Sequence, residues 1–263
     1  MIDKEKEKKR LRRERMKKGI YILPNLFTTA SLFCGFYAII ASMRGDFGQA
    51  AVSILFSWIL DGLDGRIARM TNTTSKFGSE YDSLVDLVAF GVAPAILAYT
   101  WTLSPYGRYG WMAAFLFVTC GALRLARFNI QIGIVESTVF NGLPIPAAAI
   151  VVATSVLFHG YISGIGTLNT TFFIPVMIVL SLLMVSSIKY YSFKDLNVLS
   201  RKPFMTLVGI ILVFTVIVLE PRITLFALAV SYSVSGPGWF AFRCFRKLMK
   251  KKEVSKVEPS GIL

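Results

Sequence analysis

No Asp, Glu, Lys or Arg occurs between Glu136 and Lys189, and a stretch that long without charge does not suit the surface of a water-soluble domain. About 20 apolar residues cross a bilayer as a helix. The stretch therefore accommodates two crossings joined by the polar turn around His159 to Asn169. Similar apolar runs recur near residues 20–43, 47–69, 80–103, 107–128, 144–160, 170–189, 204–220 and 222–241. With 54% hydrophobic and 17% charged residues, the expected fold is all-α, a polytopic integral membrane bundle of about eight transmembrane helices. Gly236-Pro237-Gly238 inside the last run predicts a break or a partly interfacial segment there.

Charge placement orients the bundle. Residues 1–18 carry ten Lys or Arg against four acids, and residues 241–263 carry seven against two, out of a net charge of +14. Basic flanks of membrane spans set topology and meet anionic headgroups. With the N-terminus inside, Arg66, Arg69, Lys76, Arg124, Arg127, Lys189, Lys194, Arg201 and Lys202 all fall on the cytoplasmic side, whereas Arg44, Arg108 and Arg222 fall opposite. Both termini are expected in the cytoplasm. The mixed Glu and Lys of residues 3–18 predict a helix along the membrane surface, and no aromatic-basic reading module points to nucleic acid. Cys34, Cys120 and Cys244 lack metal-ligand spacing. His159 lies near the outer boundary, away from the acids discussed next.

Four aspartates, Asp61, Asp64, Asp82 and Asp86, lie within this apolar setting. An ionisable group at membrane depth costs several kcal/mol unless it faces a cavity, a partner or an ion. On helices, Asp61, Asp64 or Gly65, and Ala68 share one face, and Asp82 and Asp86 are one turn apart. Two helices with a short connection could then aim four carboxylates into one cleft. Bare, they would repel; divalent cations with oxygen ligands remove that penalty. With no His or Cys alongside, the set suits Mg or Mn rather than zinc. Gly65 and Ala68 leave room for close approach of a ligand, and Arg69 offers a bidentate fork for phosphate. Together these features suggest phosphoryl-group chemistry. The plainer alternative is that Asp61 and Asp64 only pair with Arg66 and Arg69.

The pattern D-x-x-D-G-x-x-A-R, eight residues, then G-x-x-x-D-x-x-x-D resembles the signature of the CDP-alcohol phosphotransferases, membrane enzymes that move a phosphatidyl or related group from a CDP-linked donor to an alcohol and release CMP. The resemblance implies that Asp61, Asp64, Asp82 and Asp86 hold two divalent cations and that Asp86 is also the general base. It implies that Asp61, Gly65, Ala68, Arg69 and Gly78 receive the cytidine diphosphate, with Asn25 and Thr28 as further candidates. Asn25 could equally cap the start of its helix.

Leu23 to Gly35, Arg124 to Asn129 and Gly142 to Pro146 resemble segments of the bacterial and archaeal phosphatidylserine synthases within that family, although Ser31 stands where Asn is usual. The resemblance implies CDP-diacylglycerol and L-serine as substrates, an active site on the cytoplasmic face of the inner membrane, and a homodimer. It divides the chain into a basic segment (1–19), a six-helix catalytic core (20–190), two further helices (191–241) and a basic tail (242–263). Arg124 and Arg127, one turn apart, are candidates for the serine carboxylate, with Asn129 orienting an arginine or the serine. Alternatively both arginines are positive-inside anchors. The rivals are a related transferase acting on glycerol phosphate or inositol phosphate, and a divalent-cation transporter.

Overall fold

The computed structural model describes residues 2–71, 75–131, 139–162, 172–191 and 203–257. Among these, a helix covers most of each apolar run, although the run near 170–189 is helical only over Phe173–Val185 and reaches a short strand at Lys189. The helices are α1 (Ile2–Arg44), α2 (Phe47–Met70), α3 (Lys76–Tyr106), α4 (Arg108–Gln131), α5 (Ile145–Ile162), α6 (Phe173–Val185), α7 (Pro203–Leu219) and α8 (Pro221–Val257). Five stretches are long and apolar enough to cross a membrane: Leu23–Arg44 of α1, all of α3, Arg108–Ile130 of α4, all of α5 and Pro221–Arg243 of α8. The chain is an all-α polytopic membrane protein. Helices α6 and α7, with 13 and 17 residues, are shorter, and α2 carries two aspartates and two arginines in its second half. Lys194, Arg201, Lys202 and the rest of the polar turn up to Asn169 lie outside the described residues, as do the side chains of residues 1–22.

Three expectations are revised. The N-terminal segment is no separate surface helix but runs on into the first span as one 43-residue helix. Asn25 therefore caps nothing, since α1 begins more than twenty residues earlier. Likewise α8 passes through Gly236-Pro237-Gly238 without a break.

Helix α1 packs along α2 and against α3, and α5 touches α2, α3 and α8. Small residues allow this. Ala38, Ala41, Ala50 and Ala51 are buried with Ile54 where α1 meets α2, and a Cβ on Gly35 would lie 2.7 Å from the Ala89 Cα, so α1 and α3 meet backbone to backbone. In lipid, where apolar burial drives little association, such close packing is what holds helices together. Gly35→Ala is expected to force the two helices apart at a cost of about 1–3 kcal/mol, seen as a lower melting temperature in detergent. An unchanged melting temperature would mean the contact is slack. Outward, Phe33, Phe36, Phe56, Trp58 and Phe115 are exposed, a surface suited to acyl chains.

Helix α3 is irregular where it leaves the acidic end. Pro94 has no N–H to give the Phe90 carbonyl, and Leu87–Val92 winds as π-helix, with the Ala93 N–H reaching back to the Val88 carbonyl. A feature absent from the sequence reading is an antiparallel ribbon of β1 (Val139–Asn141) and β2 (Lys189–Tyr191), with Phe140 opposite Tyr190. It ties the α4–α5 connection to the chain leaving α6. Gly142, at φ +83°, turns the chain from β1 into α5 and donates its N–H to the Ile188 carbonyl at 2.8 Å.

Candidate active site

The end of α2 and the start of α3 meet at one rim of the bundle. Ser75 caps α3 by accepting the Gly78 N–H at 3.0 Å, which fixes the direction in which α3 leaves the connection. One carboxylate oxygen each from Asp61, Asp64 and Asp82 lies within 4.8 Å of the others, and the carboxyl groups of Asp61 and Asp86 meet directly between the two helices. The four acids therefore converge, an arrangement the helical spacing allows.

Helix α1 supplies the third wall. Thr28 is buried and its hydroxyl donates to Asp64 Oδ2 at 2.7 Å, while Thr29 Oγ1 and the Tyr81 hydroxyl are 3.0 Å apart. Asn25 reaches Gly78: a Cβ there would sit 3.5 Å from Asn25 Oδ1 and 3.1 Å from Ser75 Oγ. Ser31, at the place where the resemblance leads one to expect Asn, joins Ser57 hydroxyl to hydroxyl at 2.7 Å and so serves the α1–α2 contact. Gly65 faces open space except for Arg69, whose Nε donates to the Gly65 carbonyl at 2.8 Å. The guanidinium thus lies folded back over the same helix turn, beside Ala68.

Hard cations fit this donor set. Oxygens bound to one ion at 2.0–2.6 Å can be at most about 5 Å apart, which the Asp61, Asp64 and Asp82 oxygens satisfy. Asp82 Oδ1 and Asp86 Oδ1 are buried without a hydrogen-bond partner. Carboxylate oxygens left so are costly unless something positive meets them.

The family model for CDP-alcohol phosphatidyltransferase matches residues 21–180. The chain is 43% identical over 195 residues to a CDP-diacylglycerol–serine O-phosphatidyltransferase of Helicobacter pylori, covering 74% of this chain and 82% of that protein. It is 36% identical over 173 residues to the enzyme of that name from Bacillus subtilis, covering 65% and 91%. An archaetidylserine synthase of Methanothermobacter thermautotrophicus is 37% identical over 170 residues, covering 64% and 69%. The chain belongs to the CDP-alcohol phosphatidyltransferase family.

Within this CDP-alcohol phosphatidyltransferase, α4 brings its cationic end to the same rim. Arg124 lies close enough to Asp86 for their charges to interact, and its Nε is buried without a hydrogen-bond partner. Arg127 instead reaches α6, where Nη1 donates to the Val185 carbonyl at 3.5 Å. Asn129 pairs with Ser83, its Nδ2 donating to Ser83 Oγ at 3.0 Å and its Oδ1 accepting from that hydroxyl at 3.3 Å, which ties α4 to α3 beside Asp82. Tyr232 of α8 comes near enough to Arg124 for the two side chains to interact electrostatically. Sequence reasoning passed over this tyrosine because a lone Tyr in an apolar span reads as an interface residue. His159 meets the Trp101 ring edge-on at 5.2 Å, remote from the quartet. An apolar cavity of about 890 Å³ lies between α5, α6 and α8, and no carboxylate lines it.

Proposed function

We propose that the protein transfers the phosphatidyl group of CDP-diacylglycerol to the hydroxyl of L-serine, giving phosphatidylserine and CMP, and that Asp61, Asp64, Asp82 and Asp86 form its metal site. The observation that carries the reading is a carboxylate quartet at one rim of a membrane bundle with the buried, unpartnered Nε of Arg124 next to Asp86. The names of the relatives from Helicobacter pylori and Bacillus subtilis support serine as the acceptor.

Two Mg or Mn ions held by the quartet would neutralise it and withdraw charge from the diphosphate. The remaining roles belong to side chains. Asn25, Thr28, Asp61, Gly65, Ala68, Arg69 and Gly78 form the cytidine diphosphate cradle. Arg69 can unfold from its Gly65 contact to meet a phosphate, and the bare faces of Gly65 and Gly78 let the nucleotide come close. Asp86 accepts the proton of the serine hydroxyl. The serine oxygen then forms its bond to the phosphorus bearing the diacylglycerol as the bond from that phosphorus to the CMP oxygen breaks, and CMP leaves as a phosphate anion. Arg124 meets the serine carboxylate, which satisfies its Nε donor. Arg127 and Asn129 hold the end of α4 against α6 and α3, so their part in serine binding is to fix Arg124.

In the proposed topology all eight helices cross or enter the cytoplasmic membrane, both termini and the quartet face the cytoplasm, and the protein is a homodimer. An acceptor carrying its own phosphate, such as glycerol phosphate or inositol phosphate, would bring more negative charge to a rim that already holds four acids. A single carboxylate matches one arginine better. The cation-transporter rival requires acids lining a path through the bundle, whereas these sit together at one end.

The test is CMP release and lipid product from purified protein, CDP-diacylglycerol and each alcohol in turn. Serine is expected to yield phosphatidylserine, and consumption of glycerol phosphate without it would overturn the acceptor assignment. Arg124→Ala is expected to raise the serine KM by roughly tenfold or more, since removing one partner of a charged hydrogen bond costs about 1.5–3 kcal/mol, with little change for CDP-diacylglycerol. Equal effects on both would assign Arg124 to folding or to the lipid donor.

A further inference from the structure

The span of α1 carries two adjacent threonines whose hydroxyls go to different acceptors. A serine or threonine inside a helix has a ready acceptor in the carbonyl four residues earlier. Thr29 uses it, donating to the Asn25 carbonyl at 2.7 Å, and Ser42, Thr154 and Ser181 do the same, each at 2.7 Å. Thr28 does not settle there. Its hydroxyl oxygen lies 3.1 Å from the Pro24 carbonyl but 2.7 Å from Asp64 Oδ2 on the neighbouring helix. A hydroxyl has one proton to give. A carboxylate is the stronger acceptor, and 2.7 Å is the length of a charge-assisted bond between two oxygens. The Thr28 proton therefore belongs to Asp64.

Both partners are held in place. Thr28 is 4% exposed and Asp64 5%, and a β-branched side chain in a helix has few rotamers to choose from. Asp64 is the buried member of the three acids whose oxygens lie within 4.8 Å of one another, so water has little access to its carboxylate, and the Thr28 bond fixes how that carboxylate is turned. Toward a diphosphate Thr28 has little left to offer. Phosphate oxygens accept hydrogen bonds, and the one proton of this hydroxyl is already committed.

We propose that Thr28 is a positioning residue of the ion site. It serves the cytidine diphosphate cradle through Asp64, holding that carboxylate so that its remaining lone pairs turn toward Asp61 and Asp82, and not by touching the nucleotide itself. Groups that hydrogen-bond a metal ligand fix its orientation, and losing one weakens ion binding by about 10–100-fold. The inference rests on the assignment of the quartet to divalent cations.

The experiment uses the full chain purified in detergent and stripped with chelator, for the wild type, Thr28→Val and Thr28→Ser. Valine keeps the branched shape and removes the hydroxyl, whereas serine keeps the hydroxyl. Melting temperature and CMP release are each followed against Mg concentration, and the KM values for CDP-diacylglycerol and serine are taken at saturating Mg. Thr28→Val is expected to move the Mg midpoint of both curves upward about tenfold or more, with both KM values unchanged. Thr28→Ser is expected to keep the wild-type midpoint. Thr28→Ala, which adds no bulk, carries the same expectation as the valine should that variant not fold. An unmoved Mg midpoint overturns the inference: joined to a raised CDP-diacylglycerol KM it makes Thr28 a nucleotide contact, and joined to a melting temperature lowered equally at every Mg concentration it makes the bond structural, the ion assignment standing in either case. A midpoint that serine fails to keep also overturns it. If Mg moves neither curve of the wild type, the ion assignment itself fails and this inference with it.

Discussion

Asp86→Asn is expected to lower CMP release by about a thousandfold or more, with the protein still folded. The substitution keeps the shape of the side chain and removes both its charge and its ability to take a proton. A positioned general base contributes about 10²–10⁴-fold, and Asp86 also belongs to the quartet that would hold the ions. The contact between the Asp61 and Asp86 carboxyls would become an ordinary amide–carboxylate hydrogen bond, so the α2–α3 interface has no reason to open. The measurement is single-turnover CMP release at saturating serine, beside binding of CDP-diacylglycerol and a thermal melt. Wild-type turnover in this variant would remove Asp86 from the chemistry. Loss of folding would show instead that the carboxylate serves the interface. Asp82→Asn should fall nearly as far, because its unpartnered Oδ1 is aimed into the same site.

The parts of this site that sequence revealed are those in which one local rule forces the geometry. Asp61 and Asp64 at three-residue spacing, and Asp82 and Asp86 at four, can only share helix faces, and apolar runs of bilayer length can only be helices. The convergence of the acids follows from these two facts plus a short connection. What stayed hidden depends on partners distant in sequence. The β1–β2 ribbon comprises two three-residue strands whose pairing spans about fifty residues, and so short a strand has no periodicity to read. Gly236-Pro237 looks like a helix breaker. Its meaning changes once the Tyr190 hydroxyl donates at 3.0 Å to the Ser233 carbonyl, which Pro237 leaves without an N–H partner, a case of a neighbouring element satisfying the backbone group that proline frees. The capping alternative for Asn25 failed for the opposite reason, since the apolar run begins near it although the helix begins at Ile2. Hydropathy marks where a chain becomes apolar, not where its backbone becomes helical. Arg124 and Arg127 are equivalent in sequence, one turn apart, and only packing separates them, the first turned to Asp86 and the second to the end of α6.

Divalent ions are expected to stabilise the wild type strongly and to leave Asp61→Asn/Asp64→Asn unaffected. Without an ion the quartet is a cluster of like charges partly shielded from water, and its mutual repulsion opposes folding. Neutralising two members relieves that repulsion, so in ion-free buffer the double variant should melt at or above the temperature of the wild type. Asparagine can still accept the Thr28 hydroxyl through its amide oxygen, so the α1–α2 contact survives. Added Mg or Mn reverses the order. A ligand bound only by the folded state at a hundredfold excess over its Kd stabilises by about 2.7 kcal/mol, which for a chain of this size corresponds to a rise of about 5–10 °C. The wild type should show that rise and lose it with chelator, together with CMP release. The double variant should show neither the rise nor activity. This crossing of the two curves separates a site built for ions from acids that merely pair with Arg66 and Arg69. If those acids were simple ion-pair partners, the double variant would be the less stable protein at every ion concentration, and Mg would move both melts alike.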